Sequence, residues 1–307
     1  MVSTLTNRDS SSVHDSSYRR GVLLVLLAGI LWSTIGLGVR FMEVANVWQI
    51  LFYRSCSLAP FLFFIISFRS RGKPLLAIRK AGLAGAIGGA CLVFAFAGGI
   101  FAIQTTTVAN AMFLFASAPF FAALLGRLLL GEKVRTATWI SMVAASLGVV
   151  FMVAEGISLG NAAGNLAGIL SAIGFAAFTV TLRWRKLDDM LPSVLLSGVF
   201  ATAVAGTVCW ALGHPLAIPA HDISIALAMG VLQVGAGLFA YTIGSRSVPA
   251  VELALLSMTE VLLGPLWVWL ALGEVAGLFT LIGGAVLMAA IAGNAVTGLR
   301  RKPTPVM

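Results

Sequence analysis

Few side chains in this sequence are placed to do chemistry inside an apolar environment. Glu260 is the sharpest of them. It lies about ten residues into the apolar run 250–272, and at about 100° per residue it shares a helical face with Leu253, Ser257, Gly264 and Trp267. A carboxylate at that depth has two readings: it binds a substrate amine or carries a proton, or it is a structural group bonded to a neighbouring helix. Arg54 lies inside the run 47–68. Its fork of donors suits a carboxylate, and the alternative is pairing within the bundle or snorkelling to the surface. Arg127 is close enough to the end of its run to snorkel. A further set of polar and aromatic residues falls within the apolar runs: Trp32, Ser33, Phe94, Asn110, Phe113, Ser117, Ser171, Phe175, Gln233 and Tyr241. Apolar walls with a few placed polar groups suit a small amphipathic ligand, and each of these residues could equally be ordinary packing.

Other chemistries lack their residues. There is no G-x-x-x-x-G-K-[ST] for nucleotide hydrolysis and no H-E-x-x-H for zinc. No aspartate lies within any apolar run, which excludes a membrane aspartyl protease, and the stretch Leu195–Gly198 (LLSG) has no leading glycine and no deep histidine to serve a serine nucleophile. His214, His221 and Asp222 read as solvated loop residues. Three cysteines scattered through apolar runs offer neither a disulfide framework nor a metal site. No enzyme, cofactor or metal is expected.

The elements that position these residues follow from composition. Hydrophobic residues make up 59% and charged residues 10% of the chain, far below the roughly 25% charged residues of a soluble domain. The chain is therefore expected to be an all-α membrane protein. About 20 apolar residues cross a bilayer, and ten such segments occur, at 21–40, 47–68, 81–102, 107–130, 136–155, 163–183, 191–212, 224–243, 250–272 and 276–296. Lys and Arg, apart from Arg40, Arg54 and Arg127, all fall in the two tails and the even-numbered loops. The positive-inside rule then places both termini in the cytoplasm, and the basic charge of +9 reads as topology rather than as a nucleic-acid footprint.

The sequence also repeats itself. LAGIL occurs at 27–31 and again at 166–170, and LLLGE at 128–132 is answered by LALGE at 270–274. The expected organisation is a disordered tail over 1–19, a first five-helix repeat over 20–156, a second over 161–297, and a tail over 298–307. The repeats are offset by five helices, an odd number, so the halves have inverted topology, an architecture of alternating-access transporters. Gly29-x-x-x-Ser33 in the first helix and Gly164-x-x-x-Gly168 in the sixth allow close helix approach. Pro119 and Pro265 are candidate breaks or hinges of the fourth and ninth helices. Gly283-Gly284 would let the tenth helix pack on a partner or on the ninth; the oligomeric state is not legible.

Ten helices in a 5+5 repeat, Gly131-Glu132 and Gly273-Glu274 closing the fourth and ninth, and Arg54 in the second resemble the EamA family of the drug/metabolite transporter superfamily over about residues 20–296. The resemblance implies a cavity lined by helices 1, 3, 4, 6, 8 and 9, which singles out Trp32 and Gln233. Many members carry Glu-Pro in the middle of helix 4 or 9; this chain has Ala118-Pro119 and Glu260-Val261 instead. The implied function is a secondary transporter in a bacterial-type cytoplasmic membrane, exporting amino acids, aromatic or otherwise neutral. Drug-like cations or another metabolite are the alternative cargo, and a channel or membrane-embedded enzyme is remote. Expected partners are the small-molecule substrate and the lipid bilayer, with no nucleic acid. Glu260 allows proton coupling, and the alternative is facilitated exchange.

Overall fold

A computed structural model describes residues 6–158, 160–187 and 189–299. Among these the chain is helical throughout, with ten helices long and apolar enough to cross a membrane. In chain order they are α1 (Thr6–Ser33 and Ile35–Phe41), α2 (Val47–Arg69), α3 (Pro74–Thr105), α4a and α4b (Val108–Phe115 and Ala118–Leu130), α5 (Thr136–Ser158), α6 (Ala162–Trp184), α7 (Leu191–Ala211), α8 (Ala220–Gly244), α9 (Ala250–Leu272) and α10 (Leu278–Leu299). α1 starts at Thr6, whereas the sequence reading placed a disordered tail over 1–19. Once a span is helical, extending it backwards adds one hydrogen bond per residue fixed and needs no new nucleus. Residues 1–5 and 300–307 lie outside the described residues.

Local chemistry sets the ends. Asn46 caps α2, accepting from Trp48 N and Gln49 N, while Gln49 Oε1 accepts from Asn46 N. Both Gly-Glu pairs close their helices in the same way: Gly131 and Gly273 have φ of 68° and 67°, left-handed values that suit glycine. The glutamate that follows each glycine is then free to reach a neighbour. Glu274 Oε2 accepts from Arg40 Nε at 2.8 Å and Glu274 Oε1 from Val108 N at 2.6 Å. Glu132 pairs with Arg183 at 2.7 Å.

The dominant packing crosses between the two halves of the chain. α3 packs on α6 and α7, α2 on α7, α5 on α10, and α1 on α8 and α9. Matching the halves as α1–α5 with α6–α10, the seat of α1 on α8 and α9 corresponds to the seat of α6 on α3 and α4. The small-residue pairs make both seats. Gly29 faces Thr259 and the backbone of Glu260 on α9, and Gly164 and Gly168 face Thr105 and Leu114. Gly283 lies against Gly148 of α5, and Gly284 against Phe113 of α4a. These glycines are therefore spent inside the chain, on α5 and α4a rather than on α9 or a partner, because only a missing Cβ admits such backbone approach.

Of the two expected breaks, one occurs and one does not. α4 does break, at Ala116–Ser117, so Pro119 opens α4b, where a missing N–H costs nothing. Pro265, however, sits inside a continuous α9. Other interruptions fall elsewhere: at Thr34 in α1, at Gly82 in α3 (φ 54°), and in α8 as a π-helical segment over Met229–Ala236.

Candidate functional site

Glu260 is half-buried on α9, and among the described residues no lysine, arginine or histidine forms an ion pair with it. Its surroundings come from α1 and α8. Gly29 brings α1 close to Thr259–Glu260, and the next turn of α1 sets Ser33 against α9 and Trp32 against α8. Ser33 is fully buried; its Oγ donates to Ile30 O at 2.7 Å and accepts from Trp267 Nε1 at 2.8 Å. The Trp32 ring meets Tyr241 of α8 with centroids 5.3 Å apart and planes tilted by 42°. Gly237 lies under the Trp32 indole, where any Cβ would collide. The Tyr241 side chain interacts with the side chain of Ser257 and lies within electrostatic reach of Glu260. Gln233, in the π segment, donates from Nε2 to Trp32 O at 3.5 Å, and its Oε1 is buried with no partner.

Seven residues singled out in the sequence thus converge: Trp32, Ser33, Gln233, Tyr241, Ser257, Glu260 and Trp267. Their chemistry is that of an acceptor-rich, aromatic cluster where α1, α8 and α9 meet. A carboxylate and an orphaned amide oxygen accept hydrogen bonds, and tryptophan and tyrosine faces attract a cation. Gly264, on the same face of α9, points to Met112 of α4a, which bounds the group on that side.

The remaining candidates lie elsewhere. Phe94 is half-exposed at the α3–α6 seam, against Gly174. Ser171 pins the same seam, donating to Ala95 O at 2.6 Å. Phe175 packs between Phe115 and Phe178, with centroids at 5.3 and 5.9 Å. Asn110 is buried, donating to Thr106 Oγ1 at 2.9 Å and to Asn165. Phe113 and Pro265 border an apolar cleft of about 360 Å³ among α4a, α9 and α10. Leu262, Leu266 and Trp269 line it too, so it lies on the face of α9 opposite Glu260. Arg54 is 1% exposed, its guanidinium 4.5 Å above the Phe96 ring.

Sequence reasoning missed several structural groups. Asp222 is not a solvated loop residue. It is fully buried and accepts from the N–H groups of Glu43, Val44 and Ala45 at 2.9–3.1 Å, fastening the α1–α2 loop to the start of α8. Its signal was its place just after Pro219, at a helix N-terminus. The Arg40–Glu274 and Arg183–Glu132 pairs were legible as Gly-Glu motifs but not as pairs, since each arginine lies in a different segment from its glutamate.

Comparison with known proteins decides the family. The model of the EamA-like transporter family matches residues 19–154 and again 162–296. The chain belongs to the EamA-like transporter family. It is accordingly a multi-pass membrane protein of a transporter family. It is similar to the pseudopaline exporter CntI in two strains of Pseudomonas aeruginosa, 25% identical over 281 residues that cover 89% of this chain and 94% of the relative. A solved crystal structure aligns with a TM-score of 0.63 at 18% identity, over 93% of this chain and 100% of that one, a likeness of fold.

Proposed function

We propose that this EamA-family protein is a secondary transporter that carries small amphipathic amines, amino acids above all, out of the cell by alternating access. The observation that carries the reading is Glu260, a carboxylate at membrane depth with no cationic partner among the described residues, within electrostatic reach of Tyr241, whose ring meets Trp32; Gln233, which donates to Trp32 O, leaves its Oε1 unpartnered. An ammonium group supplies what each of these lacks: positive charge for the carboxylate, N–H donors for the amide oxygen and a cation for the rings. Ser33 and Trp267 hold the pocket's far wall through their mutual hydrogen bond. The curated relatives' naming as exporters supports outward direction. The lysine and arginine asymmetry supports cytoplasmic termini in an inner membrane, which sets Arg40–Glu274 at the outer face and Arg183–Glu132 at the inner face. The same pocket would take a drug-like cation, the second reading, favoured by its aromatic walls.

Purified protein in proteoliposomes preloaded with single unlabelled amino acids tests this, with labelled phenylalanine, threonine or methionine outside. Saturable entry above empty liposomes is expected. Glu260→Gln should fold and give an exchange rate lower by roughly tenfold to a hundredfold, the loss of one charge-assisted contact. Wild-type exchange by that variant, with an unchanged response to an imposed pH gradient, removes Glu260 from the mechanism.

A further inference from the structure

The opening segment of α3, residues 74–81, is not needed to cross the membrane. α3 runs for 32 residues from Pro74 to Thr105, and about 20 suffice for the hydrocarbon core. Residues 83–105 meet that length alone. Gly82 divides the two parts. Its φ of 54° and ψ of −147° interrupt the helical backbone, and the space where a Cβ would stand is open, so glycine is there for its conformation.

The segment before the break has two unlike faces. Ala77 and Ile78 pack against the buried cluster that holds Leu62 and Ile66 of α2, and Ala81 is buried. The other face carries Leu75 with Arg79 one turn on, and Leu76 with Lys80 one turn on. Leu75 is 73% exposed, Leu76 50%, and Leu83, just past the break, 66%. Arg79 and Lys80 are exposed, as are Arg71 and Lys73 in the turn before Pro74. Among the described residues none of these four cations forms an ion pair, and Asp189 at this end is taken by Arg69 at 3.9 Å. Topology asks only for positive charge in a loop. It does not ask for cations interleaved with bare leucines on one helical face. The α4–α5 loop at the same end differs in this respect: Arg135 is spent on Asn294, donating to its O and Oδ1 at 3.2 and 3.1 Å.

We propose that residues 71–83 form a docking surface for an anionic phospholipid of the leaflet at this end, with its phosphate received by Arg79 and Lys80 and an acyl chain laid along Leu75 and Leu76. A cluster of cations with no acid of its own complements an anion, and apolar side chains turned outward beside it complement a hydrocarbon chain. One molecule of this class carries both. The stems of Arg79 and Lys80 lie against the leucines, and their charged ends reach the headgroup level. The lysine and arginine asymmetry makes this leaflet the cytoplasmic one. The surface is independent of Glu260 and of any cargo.

The test is native mass spectrometry of the purified protein in detergent, titrated with dioleoylphosphatidylglycerol or with dioleoylphosphatidylcholine, which has the same chains and no net charge. The protein should retain phosphatidylglycerol at roughly tenfold lower concentration than phosphatidylcholine. Arg79→Gln with Lys80→Gln should erase about that tenfold preference and leave phosphatidylcholine retention unchanged. Lys133→Gln with Arg246→Gln removes the same charge at the same end, outside the surface, and should change neither. Glycerol 3-phosphate, the anionic headgroup without chains, should not displace the lipid at equal concentration. Equal retention of the two lipids by the wild type overturns the proposal without need of any variant. So does an equal loss of preference in the two double variants, which assigns it to the general field of that end. Displacement by glycerol 3-phosphate makes the surface a site for free phosphates and overturns the lipid.

Discussion

At the scale of single residues, the useful distinction is between polar groups the protein has satisfied and those it has not. Asp222 is satisfied: three backbone N–H groups point at one buried carboxylate. Removing it strands those donors in a dry site. Asp222→Ala is expected to destabilise the fold by about 3 kcal/mol, measured by denaturant titration in detergent, with exchange per folded molecule preserved. Gln233 Oε1 is buried without a partner, and Glu260, on which the proposed site rests, has no ion-pair partner among the described residues. Sequence alone found Glu260 because an acidic residue inside an apolar run has a clear depth. It could not tell Asp222 from a solvated loop residue, because the three N–H groups that bury it belong to residues nearly 180 positions away. Nor could it separate Asn110 and Ser171, which serve helix seams, from Ser33, which serves the pocket; all three are small polar residues in apolar runs.

At the scale of elements, the ten spans were legible because length and hydropathy decide them. The breaks were not. A proline marks a lost hydrogen bond but not a lost helix, since neighbouring helices can hold the backbone straight through it. Pro119 opens α4b, and Pro265 is accommodated within α9. The π segment of α8 had no sequence signal beyond glycines that apolar helices carry in any case. Pro265 leaves α9 without one rung of its ladder between Glu260 and the Glu274 end. Pro265→Ala restores that rung and stiffens the helix. Exchange should slow by roughly threefold or more while the yield of folded protein is unchanged. A fall in yield with wild-type exchange per molecule would make the proline purely architectural.

At the scale of the whole molecule, the two halves use the same seats but do not make the same contacts. At the Arg40 end, Glu274 ties together three segments: it pairs with Arg40, which donates to Thr106 O at 2.7 Å, and it receives the N–H of Val108 at the start of α4a. α4a packs on α9 there. At the Arg183 end, Glu132 pairs with Arg183, which donates to Ala122 O at 2.9 Å, and α4b packs on α6 with no comparable packing on α9. The acidic latch at one end is completed by a third segment and its counterpart is not. The repeat was visible in the sequence; this asymmetry was not, because it distinguishes one conformation from another rather than one sequence from another.

That asymmetry makes the two ion pairs the pans of a balance. A carrier that exchanges freely in both directions needs its two facing states to lie close in free energy, so that thermal motion alone inverts it. Each latch then contributes weight to one side only, and a small change in either tilts the whole population. Arg40→Glu, which sets two carboxylates face to face, should empty the state seen here. The double variant Arg40→Glu with Glu274→Arg should refill it. The readout is a cysteine at Ser257, introduced after Cys56, Cys91 and Cys209 are replaced, and labelled by an impermeant maleimide added from either face of right-side-out and inverted vesicles. Labelling should favour the Arg183 face in the parent, move to the Arg40 face in the single variant, and return in the double. A few tenfold steps in that ratio, each about 1.4 kcal/mol, span the range from a carrier locked one way to one locked the other. For the alternating-access carrier proposed above, the resting preference would be set by two arginines and two glutamates at its extremities, far from the proposed cargo site.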